Sequence, residues 1–92
     1  MIIAKAPLRV SFAGGGTDIK KFYDAEPGSV ISTAIDKYVY IAVHKYFHNK
    51  ILLKYSETEL VDNVNQIKNT RIRECLKLLG ISKGIEITSI AD

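Results

Sequence analysis

Three consecutive glycines, Gly14-Gly15-Gly16, stand between Ala13 and the pair Thr17-Asp18. Such a run costs backbone entropy on folding, so it needs a reason: a positive φ, or a ligand close to the main chain. Bare glycine N–H groups ahead of a helix N-terminus suit an anion. The loop is neither of the two familiar phosphate loops. It lacks the lysine of G-x-x-x-x-G-K-S/T and the spacing of G-x-G-x-x-G. A tight strand-to-helix connection explains the glycines equally well. The flanking residues add chemistry. Arg9, on the segment leading in, offers a planar fork to a phosphate. Asp18 offers paired acceptors to sugar hydroxyls. Thr17 or Asp18 also suits a helix N-cap, and for Asp18 the two roles are compatible.

Other chemistry-bearing residues read as structural. His44 and His48 are four apart, which on a helix would pair two imidazoles on one face. The surrounding pattern puts them on a strand and a turn, and no metal site is expected. Tyr38, Tyr40 and Tyr46 lie near lysines, as in single-strand nucleic-acid binders. Strand alternation accounts for them as packing. Cys75 is the single cysteine, which excludes a disulfide within the chain. It falls on an apolar helical stripe and is expected as a packed core thiol.

The elements that must position these residues are legible from periodicity. Ile2 to Phe12 is strand-like, and Pro7 places it at a sheet edge or at a kink. A short helix follows over Thr17 to Ala25, with Ile19, Phe22 and Tyr23 on one face, and Pro27-Gly28 ends it. Ser29 to Phe47 is a long strand with a bend or bulge at Asp36-Lys37. His48-Asn49-Lys50 reads as a turn into a strand from Ile51 to Tyr55, giving an antiparallel hairpin. Ser56 to Asn69 is polar, with a short helix expected around Glu59 to Val64. Thr70 to Leu79 is a helix carrying Ile72, Cys75, Leu76 and Leu79, stopped by Gly80. Ile85 to Ile90 alternates as a last strand. The reading is α+β: an antiparallel sheet with helices on one face.

A chain of 92 residues is one domain at most, with a small core. Apolar residues at 47% and charged residues at 25% exclude a disordered chain. The net charge of +3 is mild, and the basic residues are scattered. No nucleic-acid partner is expected on that distribution, whereas an anionic small molecule suits it. No apolar run approaches the length of a bilayer span. The first residues lack the basic region and cleavage site of a signal peptide. The reading is a soluble, cytoplasmic protein with no membrane partner.

The stretch Ala6-Pro7-Leu8-Arg9-Val10-Ser11-Phe12-Ala13-Gly14-Gly15-Gly16-Thr17-Asp18 resembles the first motif of the GHMP kinases, in the form of the heptose 7-phosphate kinase branch. The resemblance continues through Gly28-Ser29-Val30-Ile31-Ser32-Thr33-Ala34-Ile35-Asp36-Lys37-Tyr38. It extends to Lys54-Tyr55-Ser56-Glu57-Thr58-Glu59 and to Leu78-Leu79-Gly80-Ile81. It implies a two-domain α+β enzyme whose N-terminal half is like domain 2 of ribosomal protein S5. Such enzymes move the γ-phosphoryl group of ATP, with Mg2+, to a small acceptor. In the heptose branch the acceptor is the anomeric hydroxyl of a heptose 7-phosphate.

By that match Arg9, Gly14, Gly15, Gly16, Thr17 and Asp18 are the candidate sugar-phosphate residues. Ser32, Thr33, Asp36 and Tyr38 are candidates for lining the same cleft, and Tyr55 and Ser56 for approaching the nucleotide base. The chain departs from the family in lacking the Gly-Leu-Gly-Ser-Ser-Ser-type ATP loop, the aspartate base and the C-terminal domain. Residues 1–92 are therefore expected to form an incomplete N-terminal domain that does not turn over ATP. Core surface left for the missing C-terminal part would favour self-association. Other acceptors (fucose, galactose, a mevalonate-like compound) and a non-catalytic remnant binding a sugar phosphate or a protein are the alternatives.

Overall fold

The computed structural model describes residues 1–92. Five strands form one sheet: β1 (Ile2–Ala13), β2 (Ile31–Lys45), β3 (Ile51–Lys54), β4 (Thr58–Val61) and β5 (Ile85–Ala91). Their order is β1-β2-β5-β3-β4. The helices are α1 (Lys20–Tyr23) and α2 (Thr70–Leu79), with a 3-10 turn at Val64–Gln66. Pro7 sits in β1, at the sheet edge, where a missing N–H is tolerated. No helix is long and apolar enough to cross a membrane. The chain divides into two compact units: Met1–Lys5 with Tyr40–Ala91, and Ala6–Val39 with Asp92.

In the first unit the expectation of an antiparallel sheet is corrected. β3 is antiparallel to β4, with Ile51 opposite Val61 and Leu53 opposite Glu59. It is parallel to β5, with Ile51 opposite Ile85 and Leu53 opposite Ile87. The sheet is mixed. The expected hairpin between the strand through Tyr38–Phe47 and that at Ile51–Tyr55 does not form, because β5 lies between β2 and β3. Gly84 opens the insertion: its N–H donates to the Lys50 carbonyl (2.8 Å) and its carbonyl accepts from the Tyr46 N–H (2.9 Å). A parallel partner needs a long crossover, usually helical, and α2 lies in the segment between β3 and β5. Burial then favours the insertion. Ile87 joins the core with Ile51 and Leu53, while Glu86 pairs with His44 on one flank and with Lys54 (3.1 Å) on the other.

The core consists of Ile51, Leu53, Ile67, Leu76 and Ile87. α2 forms over the residues expected. The Asn69 side chain caps it by accepting from the Ile72 N–H (3.1 Å), and Gly80 closes it at φ +72. Cys75 is exposed, which corrects the expected core thiol. The buried seam is a single row, Ile72 and Leu76, and Cys75 lies one residue and about 100° around the helix from Leu76. Leu78 and Leu79 are exposed as well, at 87% and 70%.

The short helix expected around Glu59 to Val64 is also corrected. Thr58–Val61 is a strand, and only Val64–Gln66 is helical, as a 3-10 turn. Register decides the sides. Glu59 lies opposite Leu53 and is buried, whereas Leu60 is 54% exposed. Hydropathy alone predicts the reverse. The Glu59 carboxylate is tolerated inside because it accepts from Tyr55 Oη, from Lys68 N (2.7 Å) and from Asn69 N (3.2 Å), tying β4 to the start of α2.

The second unit has no fully buried side chain. It holds itself together through main-chain contacts and hydrogen bonds, including a mutual pair in which Asp92 N donates to Tyr38 O (2.9 Å) and Asp92 Oδ2 accepts from Tyr38 N (2.8 Å).

Candidate functional site

The glycine loop belongs to the second unit. After β1 the chain reverses through Gly14 at φ +85 and Gly16 at φ +97. Thr17 N–H donates to the Gly14 carbonyl (3.1 Å) and Ile19 N–H to the Gly16 carbonyl (3.2 Å). The loop then meets a second segment main chain to main chain. A Cβ on Gly14 would lie 2.0 Å from the Ser29 carbonyl oxygen, and one on Gly28 would lie 2.1 Å from that of Thr17. The Thr17 hydroxyl reaches both strands of this crossing, with Gly14 O at 2.7 Å and Ser29 O at 2.8 Å sharing its one proton.

The fold makes different demands at the three glycines. Gly14 is required by close approach and by φ, and Gly16 by φ alone. Gly15 has no heavy atom within 4 Å of a built Cβ and no left-handed φ. Nothing in the fold requires glycine at 15. That leaves the main chain there open to a ligand.

α1 is shorter than the sequence implies. It spans Lys20–Tyr23, its N-cap is Ile19, and no side chain caps it. The capping role considered for Thr17 and Asp18 is therefore corrected. Thr17 turns its hydroxyl to two carbonyls, and Asp18 makes no hydrogen bond or ion pair. One helical turn also has almost no macrodipole, so the anion-binding argument from a helix N-terminus falls away. Ile19 and Tyr23 are 59% and 51% exposed, so the face read as packing is open.

Thr17, Asp18, Tyr23, Gly28, Ser29 and Val30 enclose a cavity of about 290 Å³. That is the size range of small-molecule pockets at its lower end. Tyr23 and Ser29, which carry hydroxyls, share this lining with Asp18, whose carboxylate has no partner, and residues of these types suit a polyol. Neither is among the residues expected from the sequence. The helical spacing of Tyr23 with Ile19 makes it look like packing. Ser29 offered a signal, since it stands in the second stretch of family resemblance.

No family model matches the chain. Over 57 residues, 62% of the chain, it is 35% identical to the D-glycero-alpha-D-manno-heptose 7-phosphate kinase of Campylobacter jejuni, of which it covers 17%. This chain resembles the N-terminal part of a GHMP kinase. Solved structures share the fold at 20% identity. A D-glycero-D-manno-heptose 1-phosphate kinase from Bacteroides thetaiotaomicron superposes with a TM-score of 0.69 over 98% of this chain. A protein of Campylobacter jejuni assigned as a sugar kinase superposes with 0.62 over 97%. The chain spans 33% and 31% of these two structures, about a third of each.

Arg9 is exposed on β1 and makes no ion pair. Ser32, Thr33 and Asp36 are exposed on β2, and the Thr33 hydroxyl donates to its neighbour's carbonyl, Ala34 O, at 3.3 Å. Tyr38 is half-buried on β2. Of the candidate sugar-phosphate residues only Thr17 and Asp18 line the cavity; Arg9, the three glycines and the β2 residues do not.

Tyr55 and Ser56 belong to the first unit, in the turn between β3 and β4. The Tyr55 hydroxyl donates to Glu59 Oε2 at 2.5 Å. That bond, with burial adding to it, pushes the phenol up to about 12. For Glu59, burial raises the carboxyl, but the hydrogen bonds from Tyr55, Lys68 N and Asn69 N outweigh it and hold it below the ordinary glutamate value. The Tyr55 hydroxyl is thus committed to the fold.

Proposed function

We propose that this chain is the acceptor-binding part of a sugar-phosphate kinase of the GHMP class. The observation that carries the reading is Asp18, whose carboxylate lines the glycine-loop cavity with no internal partner, inside the stretch that resembles the family's first motif. An exposed carboxylate without an internal partner is free to accept hydrogen bonds from a polyol. The 35% identical relative is a heptose 7-phosphate kinase, so a heptose 7-phosphate is the acceptor of choice, with its anomeric hydroxyl as the reacting group. Asp18 and Thr17 meet the sugar in the cavity; the main chain at Gly14, Gly15 and Gly16 and the Arg9 fork lie outside its lining and are assigned to the acceptor by the resemblance alone. Ser32, Thr33, Asp36 and Tyr38, on β2 and outside the cavity lining, are assigned to the acceptor side by the resemblance alone. The fold this reading implies is the ribosomal protein S5 domain 2-like half of the enzyme.

ATP and Mg2+ would serve the complete kinase, supplying the phosphoryl group and neutralising its charge. The residues of this chain do not fit them. The serine-rich phosphate loop does not occur in the sequence, the Tyr55 hydroxyl is held by Glu59, and no three His, Cys, Asp or Glu side chains converge to hold a cation. No phosphoryl-transfer step is assigned to residues 1–92, and Asp18 is a binding residue and not the base.

Calorimetric titration with D-glycero-D-manno-heptose 7-phosphate, without nucleotide, tests the reading. Asp18→Ala should weaken binding by roughly tenfold or more, as loss of hydrogen bonds to a charged group does. Its melting temperature should be unchanged, because Asp18 caps nothing. Unchanged affinity with a lowered melting temperature would make Asp18 structural and sink the proposal.

A further inference from the structure

The first unit contains a larger concavity, about 550 Å³, within the range of small-molecule sites. Ile2, Val43, Ile81 and Ile85 form its apolar walls. Lys45 and Lys83 stand in the same lining, both exposed, and neither ammonium makes a hydrogen bond or ion pair. The lining holds no carboxylate. The adjacent acid in sequence, Glu86, is already engaged by His44 and Lys54, and Asp62 lies 3.7 Å from Lys50, so neither neutralises the two free lysines.

We propose that this cavity binds a small amphipathic anion: an unbranched apolar body with a carboxylate head, of which a medium-chain fatty acid is the simplest case. The chemistry divides the work. Apolar walls gain roughly 25 cal/mol for each Å² they lose to water, and they do so for any apolar occupant. The two lysines select the head group. They repel a cation and attract an anion, each modestly because both are exposed. A polyanion such as nucleic acid gains nothing from the isoleucine walls, and an uncharged lipid leaves the lysines unused. The proposal is independent of the sugar-phosphate reading, since it uses other residues in the other unit.

The test is a two-dimensional amide NMR titration of the full chain with decanoate, below its micelle concentration. The expected result is saturable one-to-one binding, with shifts confined to the lining residues. Lys45→Gln with Lys83→Gln should weaken it about fivefold or more, the sum of two exposed charge contacts. Decanol should bind more weakly by a similar factor. Both lysines are exposed, so the double variant's spectrum should otherwise superpose on that of the unsubstituted chain. Three results would overturn the proposal. Decanol equal to decanoate, or a double variant that binds as well, would reduce the cavity to a generic apolar face. Concentration-dependent changes at the same residues without decanoate would show that a second copy occupies it. Absence of saturable binding would refute it outright.

Discussion

Alanine at each glycine of the loop separates packing from recognition. At Gly14 the added Cβ would sit 2.0 Å from the Ser29 carbonyl oxygen, against main chain that has no rotamer to yield. The residue is also at φ +85, where an L side chain costs roughly 1–2 kcal/mol. Forcing the crossing apart adds about 1–3 kcal/mol, the usual cost of overpacking. Gly14→Ala should therefore lose roughly 2–5 kcal/mol, a large share of the ~5–14 kcal/mol open to a domain of this length. In a small domain each kcal/mol is worth about 4–8 °C in Tm. Gly15→Ala meets nothing within 4 Å and has no left-handed φ. It should be neutral, or stabilising by about 0.4–1 kcal/mol through the unfolded chain. If the main chain at Gly15 faces the sugar, that same methyl should weaken heptose 7-phosphate binding by about tenfold or more. Urea midpoints and calorimetric titration on the two variants give both numbers. A Gly15→Ala protein as unstable as Gly14→Ala would refute the loop geometry. One that is stable and binds normally would refute the placement of the ligand.

Four other perturbations, in both units, have defined outcomes. Tyr55 is raised from its ordinary 10 to about 12 by its bond to Glu59, so its contribution is full below pH 10 and fades as pH rises towards 12; Tyr55→Phe should abolish that alkaline loss in urea midpoints. Glu59 is held below its ordinary value, so its contribution is present above about pH 4.3 and is lost as pH falls through the lowered value; Glu59→Ala should cost about 2–4 kcal/mol at pH 7, and a loss under 0.5 kcal/mol would contradict its buried bonds. Thr17→Val removes the hydroxyl proton shared by Gly14 O and Ser29 O and should cost about 1 kcal/mol, recovered by Thr17→Ser. Cys75 should react with iodoacetamide in the folded protein without denaturant, and full protection would contradict its exposure.

What local sequence could encode, it did encode. The stretch Thr70–Leu79 with Gly80 carries its own periodicity, cap and stop, and forms α2 over those residues. Pro7 left β1 an edge strand or a kinked one, and it is at the edge. The glycine run announced a special loop, and resemblance pointed it towards a sugar-phosphate kinase, as the similarity to a heptose 7-phosphate kinase bears out. Within that loop, though, the sequence could not say which glycine serves which purpose. Only the crossing with Gly28-Ser29 shows that Gly14 is packed and Gly15 is not.

The larger differences are all matters of pairing at a distance. Alternation in Tyr38–Tyr46 and Ile51–Tyr55 looks like a hairpin because the two strands are neighbours in sequence. The tertiary structure places β5 between them, since a strand some 30 residues later fills that place with Ile87 in the core and Glu86 between His44 and Lys54. Register, set by β3, likewise turned Glu59 inward and Leu60 outward, against hydropathy. The sequence by itself determined the helix, the edge and the loop, because their causes lie within a few residues. The tertiary structure decided strand order, the burial of Glu59, the exposure of Cys75 and the walls of both cavities. Each of those depends on which distant segment arrives alongside, and no local propensity contains that information.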